Sequence, residues 1–185
     1  MKLVHTHRDQ LNERLPYVDT VILPVCALAV QADDAPMGVD LLTVRRLGEI
    51  IEESLTGRVC LLPELAYGLF DIADHTETIE SPVSVLADFI YHLLRGFQQR
   101  GMKYAVLLNG HEGNFTSLQL AGERLRTEGW KVLLSNWRIE HESEGFSEFQ
   151  QWISGASSKN AAEKGEAYLR ELGTRLIEDV ISLWK

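Results

Sequence analysis

Apolar residues along this chain fall into two patterns. Four short runs are almost continuously apolar and rich in Val, Ile and Leu: DTVILPVC from Asp19, RVCLLPEL from Arg58, KYAVLLN from Lys103 and KVLLSN from Lys131. Runs of that length and composition predict buried strands at about residues 19–26, 58–65, 103–109 and 131–136. Between and after them, apolar positions recur every three or four residues, the period of helices with one buried face. Residues 7–15 predict a short surface helix stopped by Pro16. Asp40 to about Leu55 predicts a helix whose apolar face is Leu41, Leu42, Val44, Leu47, Ile50 and Ile51, with Asp40 as its cap. Ser81-Pro82 reads as an N-cap with proline at the first helical position. The helix behind it carries Val85, Leu86, Phe89, Ile90, Leu93, Leu94 and Phe97 as one core-facing stripe. Phe115, Leu118, Ala121 and Leu125 mark a further helix ended by Gly129, and residues 161–184 a long terminal one. Residues 66–80 and 136–158 lack a clear period and read as irregular connections, with one short helix near 146–153.

Strands alternating with helices predict an α/β fold: a three-layer αβα domain with a mainly parallel sheet, formed as a single domain over residues 1–185. The stretch KYAVLLNGHEGNFTSLQLAGERLR, residues 103–126, is its organising unit: strand, polar turn, helix. Asn109, Gly110, Gly113 and Asn114 suit a tight or left-handed turn. Ligands bind beyond the carboxyl ends of strands in open parallel sheets, which puts His111 and Glu112 where chemistry is expected. A solvated loop histidine explains the same residues. His92 lies off its helix's apolar stripe and reads as solvated.

Composition narrows the function class. The chain has 185 residues and a net charge of −9, spread along its length. That balance argues against a nucleic-acid partner or an anionic membrane surface. Only two cysteines, Cys26 and Cys60, are present, both in apolar runs, and MKLVHTHRDQ has no apolar signal core. The expectation is a cytoplasmic protein with buried thiols.

Three blocks carry a resemblance to the creatininase (creatinine amidohydrolase) family: LPVCALAVQADDAPMGVDLL at 23–42, LLNGHEGN at 107–114 and AAEKGEAYL at 161–169. The resemblance implies the family's fold, closed homo-oligomers and an amidohydrolase site holding two divalent ions between carboxylates and imidazoles. Such ions activate water and polarise a carbonyl. It also implies where the ligands stand. The family's first-loop Glu position is Ala29 here and its His position is Gln31, while its Asp is retained as Asp40. The Asn-Gly-His histidine is His111, and the Glu found two residues later in creatininase is Gly113. Alanine cannot bind a metal, and a glutamine carbonyl is a weak ligand for zinc or manganese. The expectation is therefore a degenerate metal site with no tightly bound dinuclear centre. A single Mn²⁺, Mg²⁺ or Zn²⁺ ion on Asp40 and His111 stays open.

The same resemblance makes Trp137 the counterpart of a substrate-pocket tryptophan and Glu140-His141 the counterpart of a later Glu-His pair. A chance pairing in a shortened, charged loop is the competing reading of Glu140 and His141. Glu112 is a second general-base candidate beside His111. His75 could line the pocket from the opposite loop, and Asp33 and Asp34 could add hard oxygen ligands. Cys26 with His111 could form a nucleophile–base pair, though a small buried thiol is the better reading. Two functions follow: a family member without metal catalysis that serves as a small-molecule binding or assembly subunit, or an amidohydrolase with a remodelled or single-metal site.

Overall fold

The computed structural model describes residues 1–28, 37–68, 82–136, 149, 152, 153, 155 and 159–185. Four strands form one sheet: β1 (Thr20–Val25), β2 (Val59–Leu61), β3 (Tyr104–Asn109) and β4 (Lys131–Ser135). Five helices are described: α1 (Arg8–Arg14), α2 (Val39–Ser54), α3 (Val83–Gln98), α4 (Phe115–Thr127) and α5 (Lys159–Leu183). The strand order is β2-β1-β3-β4 and every pairing is parallel. All six residues of β1 are buried, as a strand between two covered faces requires.

Alternation along the strands splits the core into two layers. Val21, Leu23, Val25, Ala105 and Leu107 pack with Leu86, Ile90 and Leu94 of α3 and Leu118, Ala121 and Leu125 of α4. Ile22, Cys26, Val106 and Leu108 pack with Val44, Leu47 and Ile51 of α2 and Leu169, Leu172 and Leu176 of α5. The fold is thus the three-layer α/β architecture. The chain runs outward from β1 to β2, then returns to β3 on the other side of β1. The order reverses between the carboxyl ends of β1 and β3, and that crevice is the natural ligand site of such a sheet.

Several local expectations are corrected. β2 stops at Leu61 rather than continuing to residue 65. Pro63 has no N–H to offer a ladder, and the chain rejoins β1 only at the isolated Val25–Leu65 bridge. Pro82 is the N-cap of α3, not its first helical residue. The apolar stripe of α3 is also turned: Leu86, Ala87, Ile90, Tyr91 and Leu94 are buried, whereas Val85 and Phe89 are 54% and 52% exposed. The reason is α4, which lies beside α3. Arg124 stacks over the Tyr91 ring at 3.8 Å, and the Tyr91 hydroxyl donates to Glu128. Phe115 of α4, placed on its apolar face by periodicity, is likewise exposed. Of the short helix near 146–153, the described residues are Phe149, Trp152 and Ile153, all helical. Phe149 is fully buried, 5.5 Å from the Tyr168 ring.

Candidate functional site at the carboxyl edge of the sheet

Two elements bring the central pair together. His111 follows β3 in extended conformation, φ −141° and ψ 127°, and a 3-10 turn (Glu112–Asn114) leads from it into α4. Asp40 lies in the first turn of α2. Gly38 is the N-cap of α2, and no side chain caps it. Asp40 is therefore not the cap expected from its position. It is only 2% exposed, and its Oδ2 sits 3.3 Å from His111 Nδ1. Its negative charge still favours the helix N-terminus.

The turn between β3 and α4 differs from expectation in its physics. No residue from 109 to 114 has positive φ; among the described residues the positive-φ glycines are Gly57, Gly101, Gly129 and Gly155. Gly110 is small because of its neighbours. A Cβ there would lie 2.3 Å from Val44 Cγ1, 3.2 Å from Cys26 Cβ and 3.3 Å from the Asp40 carbonyl oxygen. The missing side chain lets the end of β3 rest against the start of α2, which is what puts His111 beside Asp40. The Gly110 N–H donates to the Val25 carbonyl at 2.8 Å and ties the same turn to β1.

Buried polar side chains gather at this edge of the sheet: Asp40, Asn109, Asn114, Ser117, Ser135 and Asn136. The Asn109 amide donates to Asn136 Oδ1 at 2.9 Å, and its own oxygen accepts the His111 N–H at 3.2 Å. The hydroxyls of Ser117 and Ser135 are buried without a hydrogen-bond partner. Unsatisfied groups of this kind are costly and concentrate where a ligand or ordered water completes them. Sequence reading took Asn109 for a turn former and passed over Asn136. The signal that could have found both is an amide residue at the same strand exit of two neighbouring strands.

Glu112 is exposed on the 3-10 turn and hydrogen-bonds neither Asp40 nor His111. His75, Trp137, Glu140 and His141 lie outside the described residues, as do Ala29, Gln31, Asp33 and Asp34. Among the described residues no group of three or more His, Cys, Asp or Glu side chains is placed to hold a metal. Asp40 and His111 by themselves are a fitting half-site. Ligand bonds of about 2.0–2.2 Å place neighbouring ligand atoms about 3.0–3.5 Å apart, which brackets the observed 3.3 Å. An imidazole with its lone pair on Nδ1 would be able to hold a divalent cation together with the Asp40 carboxylate. An imidazole with its proton on Nδ1 donates it to Oδ2 and leaves Nε2 as a base.

Cys26 is not a nucleophile in this arrangement. It is fully buried, and its Sγ faces the Leu65 carbonyl at 3.5 Å. Burial, followed by the charges of Asp40 and Glu64, pushes its thiol up to about 12, against a weaker pull from Arg45. Burial likewise raises Cys60 to about 11. Both thiols hold their protons more tightly folded than unfolded. The stability they contribute is complete below about pH 9 and is lost as pH rises toward 11 and 12. Each thiol is worth about 1.4 kcal/mol per pH unit across its window. Unfolding free energies measured from pH 8 to 10.5 should therefore fall less steeply in Cys60→Ala than in the parent. Parallel curves would show that Cys60 titrates normally.

Comparison with known proteins places this geometry in context. Residues 5–154 match the family model for creatininase, creatinine amidohydrolase. A candidate creatinine amidohydrolase from Bacteroides fragilis superimposes with a TM-score of 0.72 over 99% of this chain and 96% of that one, at 14% identity. A manganese form of creatininase superimposes with a TM-score of 0.63 over 89% of this chain and 68% of that one, at 20% identity. A 3-dehydro-scyllo-inosose hydrolase from Thermotoga maritima is 28% identical over 109 residues, 57% of this chain. The match spans about a third of that curated relative, 34% of its length.

Proposed function

Because the chain belongs to the creatininase family, we propose that it binds a small molecule at the carboxyl edge of its sheet, around Asp40 and His111, with metal-dependent amidohydrolase activity reduced or lost. In this reading it is a single creatininase-like domain that works in the cytoplasm as a homo-oligomeric binding or assembly subunit. The observation that carries the reading is the contact between buried Asp40 and part-buried His111 at the strand-order reversal, taken with Ala29 and Gln31 at the positions where the resemblance puts the family's Glu and His ligands. In this reading the ligand site is retained while part of the family's donor set is lost. Trp137 and His75 are the proposed substrate contacts, and Glu112, Glu140 and His141 the proposed acid–base groups beside His111.

The 3.3 Å separation of Asp40 Oδ2 and His111 Nδ1 favours one alternative, an amidohydrolase with a single ion. A divalent ion held there would lower the pKa of bound water and polarise an amide carbonyl. The two residues supply two of the roughly four ligands that zinc needs, water counted.

Elemental analysis and turnover assays separate the two readings. Substrates should include creatinine, small cyclic and formyl amides and 3-dehydro-scyllo-inosose, each with and without added manganese. The expected result is fewer than two equivalents of transition metal per chain and weak or absent creatinine hydrolysis. Without a metal, a histidine acting as general base contributes only about 10²–10⁴-fold. Two equivalents of metal lost in Asp40→Ala, or robust turnover abolished in His111→Ala, would replace the first reading with an active enzyme.

A further inference from the structure

We propose that Asn109 and Asn136 are positioning residues that hold the His111 backbone so that its ring reaches Asp40. This rests on the reading of Asp40 and His111 as the centre of the site. Backbone pairing between β3 and β4 ends at Leu108↔Ser135. Asn109 and Asn136 are the next residues on each strand, and their side chains carry the pairing one step further through the 2.9 Å amide bond. The orientation of both amides follows from one obligatory donor. The His111 N–H can only donate, so the atom of Asn109 facing it at 3.2 Å is the oxygen. The nitrogen of Asn109 then faces Asn136, which must present its own oxygen.

The neighbouring peptide groups are held by other bonds. Gly110 N–H donates to the Val25 carbonyl at 2.8 Å, and Asn114 N–H donates to the His111 carbonyl at 3.1 Å. The Asn109 side chain holds the His111 N–H itself. Both asparagines are buried, so Asn109 cannot exchange Asn136 for bulk water without loss. At 3.3 Å the ring–carboxylate contact is already long for a hydrogen bond, and a small rotation of the His111 backbone breaks it. Asn136 also opens the segment that carries Trp137, Glu140 and His141. The amide bridge therefore ties the exit of β4, where that segment begins, to His111.

The test reads the His111 ring directly, in protein labelled with ¹³C at histidine Cε1 and free of ligand, with the signal assigned through His111→Gln. In Asn109→Ala and Asn136→Ala the His111 resonance should shift or split, while those of His5, His7 and His92 stay in place. Asn136→Asp keeps the acceptor for Asn109, and Asn109→Asp keeps the acceptor for the His111 N–H with the Asn136 amide turned over. Both should restore the parental His111 signal. A tie that only joins two strands predicts lower stability with an unmoved His111 resonance, and that result overturns the proposal. Should the alanine variants fail to fold, the parent protein decides. The Asn109 side-chain amide protons should exchange at least about tenfold more slowly than those of exposed Asn12, and exchange at the Asn12 rate overturns the proposal. No measurement here uses turnover or metal uptake, so robust turnover or two bound metal ions would count against the functional reading alone.

Discussion

Gly110→Ala should destabilise the protein by about 3 kcal/mol, the upper part of the range for overfilling a packed site. The added Cβ would stand 2.3 Å from Val44 Cγ1, far inside any tolerable contact. Val44 is fully buried in α2, and a β-branched side chain in a helix has one strongly preferred rotamer. It cannot swing aside, so α2 must move away from β3. Asp40 is one turn earlier on α2, and the same movement opens its 3.3 Å approach to His111. The effect should therefore appear twice, as a lower denaturation midpoint and as loss of any ligand or metal binding. Val44→Ala removes the clashing methyl group. Alone it should cost about 1–2 kcal/mol through the cavity it leaves. Combined with Gly110→Ala it should be less harmful than the sum of the two, the signature of residues in contact. Strict additivity in denaturant titrations would mean that Gly110 is small for some other reason.

Trp184→Ala should cost about 2–3 kcal/mol, although the residue sits at the opposite edge of the sheet from the site. Its ring lies 3.8 Å from the Arg58 guanidinium, and its Nε1–H donates to Thr20 Oγ1 at 2.8 Å. Arg58 in turn binds Asp19 through two nitrogens, at 3.1 and 2.9 Å. The tryptophan thus fastens the end of α5 to the starts of β1 and β2. The loss combines apolar packing, a cation–π contact and a hydrogen bond left unmade at Thr20. Arg58→Met keeps much of the packing and removes the charge. If the cation–π contact matters, Trp184→Ala should cost less in an Arg58→Met background than in the parent. Equal costs in both backgrounds would assign the whole effect of Trp184 to packing and the Thr20 bond. Site geometry should be untouched in either variant, which separates this anchor from the Gly110 contact.

These two residues mark where the linear pattern is informative and where it is not. The four strands and five helices were legible because burial on both faces of a sheet, or on one face of a helix, imposes a local period on the sequence. The family was legible from the blocks at 23–42 and 107–114, and the proposal that Ala29 and Gln31 stand at two of its ligand positions comes from the same resemblance. Element type, sheet character and the likeness to metal-dependent amidohydrolases were accordingly determined by the sequence alone. What only the tertiary structure decided depends on residues far apart in the chain. Periodicity gives the apolar stripe of α3 but not its neighbour, so it could not foresee that Arg124 of α4 lies over Tyr91 while Val85 and Phe89 stay exposed. Asp40 looks like a helix cap until α2 meets β3, 71 residues later, and turns it toward His111. Gly110 looks like a turn former, yet its backbone angles are ordinary, and the space beside it is filled by Val44. Asn109 and Asn136 read as loop residues until parallel pairing brings two strand exits together. In each case local propensity names a residue's options, and close packing between distant segments selects one of them, because a hydrogen bond or a steric contact depends on separation in space and not along the chain.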